Sequence, residues 1–196
     1  MIDEITRRIE DYACVEDLGE GRRAAVLVPL YLHRDELHIV LTKRTDKVEK
    51  HKGEISFPGG VVDPTDLDCT YTALRESREE IGLMPEHVRV IGRLDDVTTR
   101  TGFHITAMVG VIDPSLSPYA WLPQPSEVAE VLEVPLSHIA DPANAIEVPR
   151  QHEGQLVLSE GFLYRDHTIW GATAKMLRNF LQVVYAPEVV ALEQRR

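Results

Sequence analysis

The sequence is poor in cysteine, in positive charge and in long apolar runs. Its 196 residues include two cysteines, Cys14 and Cys69, too few for the disulfide framework of a small secreted protein, so we expect a reducing, cytoplasmic location. The longest apolar run, residues 24–32, is interrupted by Pro29 and is far shorter than the ~20 residues that span a bilayer. With 21 basic against 32 acidic residues, the net charge of −11 argues against binding to nucleic acid phosphates.

The sequence does contain enough apolar material for one core. Hydrophobic residues make up 43% of the chain, and its length fits one domain, predicted over residues 1–196. Isoleucines at positions 2, 5 and 9 have helical spacing and predict a helical N-terminal extension over residues 1–20. Further helices are expected to end near Gly82 and Tyr185. Strands are predicted at residues 23–33, 37–42, 88–94, 103–112 and 128–134, with a hairpin over 155–164.

This order of elements predicts an α/β fold. Two well-separated helices flanked by strands favour a mixed sheet that is covered on both faces. Asp63-Pro64 is a typical helix-start signal and predicts where the first of these helices begins. Trp121, which lies among several prolines, is expected either to border the mouth of a site or to anchor its loop.

Three glutamates share one face of the first long helix. Glu76, Glu79 and Glu80 are spaced i, i+3 and i+4, which places them within about one quadrant of the helix. Such neighbours repel one another, but Mg²⁺ or Mn²⁺ would remove the repulsion, because hard cations prefer oxygen ligands and bridge to phosphates. The alternative, a solvated acidic face, is disfavoured by the Phe57-Pro58-Gly59-Gly60 cluster upstream.

The residues beside the glutamates suit the same chemistry. Arg75 can hold one carboxylate in a bidentate fork and so fix its rotamer. Gly59 and Gly60 permit tight backbone geometry, which lets a carbonyl reach a metal and lets a phosphate approach closely.

The segment from Gly60 to Leu83 resembles the Nudix box, G-x5-E-x7-R-E-U-x-E-E-x-G-U, in which U is aliphatic. Arg75-Glu76, Glu79-Glu80 and Gly82-Leu83 match its C-terminal half, and Ser77 stands at the first U. In the first half, one residue longer here, Asp66 or Asp68 stands near the isolated glutamate position. The resemblance implies an α/β/α sandwich around a mixed sheet and an enzyme that hydrolyses nucleoside diphosphates linked to another group.

A second stretch is similar to the additional motif of the coenzyme A pyrophosphatases, L-L-T-x-R-[SA]-x3-R-x3-G-x3-F-P-G-G. Leu41-Thr42, Arg44, Gly53 and the Phe57–Gly60 run match it, whereas Glu49 stands at the second arginine position. Lys50 or Lys52 could supply the missing positive charge. The resemblance implies that coenzyme A or a derivative is hydrolysed to 3',5'-ADP and 4'-phosphopantetheine.

Two alternatives stay open. Glu49 is compatible with a Nudix hydrolase for ADP-ribose, nucleotide sugars or nucleoside triphosphates. A nucleotide-sensing module of the same fold would be expected to have lost part of the glutamate cluster, whereas all three glutamates are present. The sequence leaves the oligomeric state open, a homodimer included.

The resemblance also implies roles for individual residues. The metal ligands for Mg²⁺ or Mn²⁺ would be Glu76, Glu79, Glu80 and the carbonyl of Gly59. Arg75 would orient the glutamates, and Arg44, Lys52 and Gly60 would contact the substrate. Glu127 is expected to be the general base or a further ligand, with Glu130 and Glu80 as the alternative bases.

Overall fold

The computed structural model describes residues 1–17, 19, 21–46, 53–152 and 155–185. The helices are α1 (Ile2–Glu10), α2 (Cys69–Ile81), α3 (Leu136–Ala140) and α4 (Gly171–Tyr185). The strands are β1 (Arg22–His33), β2 (Glu36–Arg44), β3 (Ile55–Ser56), β4 (Gly59–Val61), β5 (Val88–Arg93), β6 (Val97–Thr98), β7 (Phe103–Ile112), β8 (Val128–Pro135), β9 (Ala145–His152), β10 (Gln155–Tyr164) and β11 (His167–Trp170). Short 3-10 turns lie at Pro85–His87, Pro114–Leu116 and Pro142–Asn144.

A mixed sheet of eight strands lies at the centre. Its main order is β3-β2-β1-β7-β5, and β4, β6 and β8 pair with β1, β7 and β2. Strand β1 runs parallel to β7 and antiparallel to β2 and β4. A second, antiparallel sheet has the order β11-β10-β9. The hairpin predicted over residues 155–164 is wrong, because this segment is the single strand β10 with a partner on each side.

Strand β1 is buried on both faces of the sheet. Val26 and Val28 point into a core formed with α1, α3 and α4, whereas Ala25 and Leu27 point into a core formed with α2. Successive side chains of a strand alternate between faces, and a continuous apolar run is typical of a strand covered on both. The predicted α/β sandwich around a mixed sheet is therefore confirmed.

Helix α2 is defined at both ends by local signals. Asp68 is its N-cap, and the Oδ1 atom of Asp68 accepts a hydrogen bond from the backbone N of Tyr71 at 2.7 Å. The helix ends at Gly82, whose φ of 71° is left-handed, as predicted for a glycine C-cap. The predicted start at Asp63-Pro64 is wrong, because Asp63 instead accepts from the backbone N of Thr65 within a preceding turn.

The N-terminal segment packs on the domain. Helix α1 ends at Glu10, and residues 11–17 of the predicted extension are not helical. Ile5 and Ile9 are buried in the core that also contains Phe180 of α4. Within the described ranges, no helix combines the length and the apolar character needed to cross a membrane.

Candidate active site

Glu80 is the most buried member of the glutamate cluster. It lies in the last turn of α2, is 4% exposed, and its Oε2 atom accepts a hydrogen bond from the backbone N of Gly59 at 3.2 Å. Burial raises the pKa of Glu80 to about 7, and the charges of Glu76 and Glu127 add to that rise. The helical spacing predicts only that Glu80 shares a face with the other glutamates; the strand carrying Gly59 covers it.

Arg75 connects the cluster to a buried aspartate. Its Nε and Nη2 atoms donate to Oδ1 and Oδ2 of Asp66, both at 2.9 Å, while Nη1 donates to Glu76 at 2.8 Å and to Glu79 at 3.2 Å. The Asp66 carboxylate is 1% exposed, and the guanidinium holds its pKa well below the usual range. Arg75 therefore forms its bidentate fork with Asp66, whereas Asp68 caps the helix.

The two glycines of β4 are required by close approaches. Gly59 has a φ of 155°, and a Cβ there would lie 2.4 Å from the carbonyl oxygen of Ala25 in β1. A Cβ on Gly60 would lie 2.5 Å from Cδ of Glu76. These distances are shorter than any van der Waals contact, so side chains at either position would displace the strand or the Glu76 carboxylate. The glycines thus bring a backbone segment directly against the glutamates.

Glu127 approaches the cluster from the turn before β8. It is exposed, and its backbone carbonyl accepts from the backbone N of Thr45 at 2.9 Å. In the same loop, the backbone N of Gln124 donates to the carbonyl of Glu80 at 2.8 Å. Burial raises the pKa of Glu76, and the negative charge of Glu127 adds to this rise as it does at Glu80. The Glu127 carboxylate is therefore near enough for its charge to act on both glutamates. Glu130 instead lies 3.5 Å from Nε2 of His167.

An aromatic cluster holds this loop in place, a feature that the sequence analysis missed apart from Trp121. The indole Nε1 of Trp121 donates to Oε1 of Glu133 at 2.6 Å. The backbone N of Tyr119 donates to the hydroxyl of Tyr31 at 2.7 Å, and the rings of Tyr119 and Trp121 lie 4.6 Å apart. Trp121 is therefore a loop anchor, and the only sequence signal for the cluster was aromatic residues among prolines.

Arg44 carries positive charge to the buried glutamate. Its Nη1 atom lies 3.8 Å from Oε1 of Glu80. The Nε atom of Arg44 is buried and has no hydrogen-bond partner in the part of the chain that the structure describes. An unpaired buried donor costs about 1–3 kcal/mol, so this atom is suited to an anionic ligand. Lys52, the other predicted substrate contact, lies outside the described residues, as do Glu49 and Lys50.

The donor set fits a hard divalent cation in its chemistry. Carboxylate oxygens are the ligands that Mg²⁺ and Mn²⁺ prefer, and a cation would offset the burial of Glu80 and the repulsion among Glu76, Glu79 and Glu127. As the side chains stand, Glu76 and Glu79 both contact Nη1 of Arg75. Among the residues described, no three histidine, cysteine or acidic side chains are arranged to hold a metal ion.

Solved structures show the same architecture. A MutT/nudix family protein from Enterococcus faecalis superimposes with a TM-score of 0.56 at 17% identity, covering 90% of this chain and 69% of that chain. A NUDIX hydrolase from Alicyclobacillus acidocaldarius superimposes with a TM-score of 0.55 at 18% identity, covering 90% and 97%. At these identities the likeness concerns the fold alone.

Sequence comparison identifies the family. A family model described as the NUDIX domain matches residues 21–153. The "Uncharacterized Nudix hydrolase NudL" of Enterobacter sp. (strain 638) is 39% identical over 175 residues, which cover 87% of this chain and 88% of the relative. The protein of the same name from Photorhabdus laumondii is 35% identical over 164 residues, covering 84% and 86%. These matches confirm the resemblance to the Nudix box, and the chain belongs to the Nudix family of pyrophosphate-hydrolysing enzymes.

Proposed function

We propose that this Nudix hydrolase, a single domain over residues 1–196, cleaves the diphosphate bridge of coenzyme A or a derivative. The products would be 3',5'-ADP and 4'-phosphopantetheine. The observation that carries the proposal is the convergence of Glu80, the Gly59 backbone and Arg44. A buried carboxylate there lies beside a guanidinium whose Nε–H has no partner among the described residues. The similarity of residues 40–60 to the coenzyme A pyrophosphatase motif supports this choice of substrate.

The glutamates would hold the metal. Glu76 and Glu80, with Glu79 and the Gly59 carbonyl, offer oxygen ligands for Mg²⁺ or Mn²⁺. A bound cation would neutralise the diphosphate and lower the pKa of the attacking water. Arg75 keeps Glu76 and Glu79 in place through Nη1, because its other donors are fixed on Asp66.

The cationic side chains would bind the substrate's diphosphate. Arg44, whose Nε–H has no hydrogen-bond partner among the described residues, would direct its guanidinium to phosphate oxygens while Nη1 stays beside Glu80. Gly60 would contact the substrate through its backbone, because it has no side chain between β4 and the Glu76 carboxylate. Lys52 is proposed as a further phosphate contact on the basis of the sequence motif alone.

Glu127 would take the proton of the attacking water. The residue is exposed, and its negative charge acts on both Glu76 and Glu80, which suits a proton acceptor beside the metal ligands. Its backbone carbonyl accepts a hydrogen bond from Thr45, and Gln124 of the same loop donates to the carbonyl of Glu80 at the end of α2. These anchors keep the base at a constant position relative to the glutamates.

Product analysis over a panel of diphosphates tests the proposal. Coenzyme A, ADP-ribose, a nucleotide sugar and a nucleoside triphosphate are each incubated with the protein and Mg²⁺ or Mn²⁺, with EDTA as the metal-free control. We expect coenzyme A to be cleaved with the highest kcat/KM and the activity to vanish in EDTA.

Two results would contradict it. A kcat/KM for ADP-ribose or another member of the panel at least tenfold above that for coenzyme A would establish the alternative substrate. Nucleotide binding without cleavage of any compound would indicate the sensing module.

A further inference from the structure

Two arginines away from the glutamates lie next to each other. Arg100 is in the turn between β6 and β7, and its Nη1 atom donates to the carbonyl of Gln151 at 3.4 Å, directly beside Arg150 of β9. Partial burial lowers the pKa of Arg150, and the charge of Arg100 lowers it further. We call Arg100 and Arg150 the arginine pair.

Among the described residues, no carboxylate forms an ion pair with the arginine pair. Within the described ranges, neither guanidinium has a carboxylate oxygen within 4.0 Å, in a protein with 32 acidic residues. Glu54 is near enough for its charge to act on Arg150 without forming an ion pair. By contrast, Arg75, Arg93 and Arg178 each contact an acidic side chain at 2.9 Å or less. Like charges held together without a counter-charge are typical of an anion site.

Trp170 fixes the orientation of one guanidinium. The Cζ atom of Arg150 lies 4.0 Å above the centre of the Trp170 ring. A guanidinium stacked on an aromatic ring keeps its N–H donors free at the rim, where they can form a bidentate contact with a phosphate. The ring therefore orients the Arg150 guanidinium and leaves its N–H groups available to hydrogen-bond an anion.

The arginine pair lies at the same end of the sheet as the active site. Arg22, at the start of β1, donates its backbone N–H to the carbonyl of Gly102 in the turn of Arg100 at 3.0 Å. Two residues further along, β1 begins its pairing with the strand of Gly59 and Gly60. On the other side, the carbonyl of Glu54 accepts from the backbone N of Arg44 at 3.0 Å. Arg44 thus links Glu80 to the backbone of Glu54, and the charge of Glu54 acts on Arg150.

We propose that the arginine pair, backed by Trp170, binds a phosphate monoester that the substrate carries apart from the diphosphate to be cleaved. The inference rests on the proposed function, because it assigns the site to the same substrate. Coenzyme A carries such a group, the 3'-phosphate of its ADP part, whereas ADP-ribose and 3'-dephospho-coenzyme A do not. The arginine pair thus selects among diphosphates that the glutamates alone would treat equally.

The first test compares coenzyme A with 3'-dephospho-coenzyme A. We expect Arg150→Gln to lower kcat/KM for coenzyme A by about tenfold to a hundredfold, mainly through KM, because a charged hydrogen bond to the phosphate is lost. Its kcat/KM for the dephospho compound should stay within twofold. Arg100→Gln, at an exposed position, should give the same pattern and stands in if Arg150→Gln does not fold.

Arg165→Gln is the matched control. Arg165 also lies over an aromatic ring, with Cζ 5.0 Å from the centre of Tyr164, but at the turn between β10 and β11. Arg165→Gln should leave kcat/KM for both substrates unchanged. The inference is overturned if the wild type cleaves both substrates with equal kcat/KM, or if Arg150→Gln and Arg100→Gln lower both equally. Either result would leave the proposed function standing.

A binding measurement separates the two proposals. Calorimetric titration of the wild type without metal should show tighter binding of 3',5'-ADP than of 5'-AMP, and this ratio should fall to about one in Arg150→Gln. If coenzyme A is not hydrolysed but this ratio still depends on Arg150, the proposed function fails and the phosphate site stands. A ratio of one in the wild type overturns the phosphate site whatever the activity.

Discussion

Helices α2 and α4 pack on opposite faces of one sheet, yet they bury different chemistry. The buried residues of α4 are mostly large and apolar, namely Thr173, Ala174, Met176, Leu177, Phe180, Leu181 and Val184. Those of α2 are mostly small or polar, namely Thr72, Ala73, Ser77, Glu80 and Ile81. Buried apolar area stabilises a fold, whereas a buried carboxylate costs free energy unless it is paired. We infer that α4 contributes chiefly stability and that α2 gives up stability for the site.

The largest expected effect tests the α2 side of this comparison. Glu80→Gln keeps the shape of the side chain but removes the charged oxygen donor. We expect kcat to fall by about three orders of magnitude, or ~4 kcal/mol of transition-state stabilisation, with no loss of thermal stability. Steady-state kinetics with coenzyme A and thermal unfolding measure the two quantities.

Glu86→Gln, at an exposed position in the turn after α2, is the control and should behave as the wild type. Unchanged turnover in Glu80→Gln would contradict the metal role of this residue.

The second-largest expected effect tests whether α4 contributes chiefly stability. Phe180 is fully buried, and Phe180→Ala should lower the free energy of unfolding by about 3–5 kcal/mol through lost burial and a cavity. For a chain of this size the melting temperature would fall by about 10 °C. The folded fraction should keep a kcat within about threefold of the wild type. Phe180→Leu should cost less stability than Phe180→Ala. If Phe180→Ala lowered kcat as much as Glu80→Gln does, the contrast between α2 and α4 would be wrong.

A smaller effect is expected at Arg75. Arg75→Lys keeps the charge but loses the two-pronged contact with Asp66, so it should lower kcat by about tenfold to a hundredfold. It should also cost about 1–3 kcal/mol of stability, because Asp66 is left buried with fewer donors. Kinetics and urea unfolding measure both effects. Arg78→Lys, exposed on the same helix, is the control; equal behaviour of the two variants would refute the positioning role.

The smallest effect is expected at the loop that packs on the end of α2. Trp121→Phe removes the hydrogen bond to Glu133 and should lower stability by about 1 kcal/mol. Because this loop carries Glu127, we also expect kcat to fall a few-fold with KM unchanged. Glu133→Gln retains an oxygen acceptor for the indole and should stay near the wild type. A Trp121→Phe enzyme with wild-type kcat would show that the loop does not position Glu127.

Local patterns predicted the elements well. The glutamate spacing, the glycine at the end of α2 and the apolar run of β1 each depend on contacts within a few residues, so the sequence alone shows them. The hairpin predicted over residues 155–164 failed for the opposite reason. Strand partners lie outside the segment, and periodicity does not distinguish one long strand from two short ones.

Within the site, the sequence by itself determined which groups are available, and the tertiary structure decided which of them meet. Three glutamates on one helix face follow from helix geometry. Three features depend instead on other segments of the chain. Arg75 pairs with Asp66, and Glu80 is buried under Gly59. The loop of Glu127 packs on the end of α2, where its charge acts on Glu76 and Glu80. These contacts join residues up to tens of positions apart, and only the packing of helices and loops on a shared sheet brings such residues together.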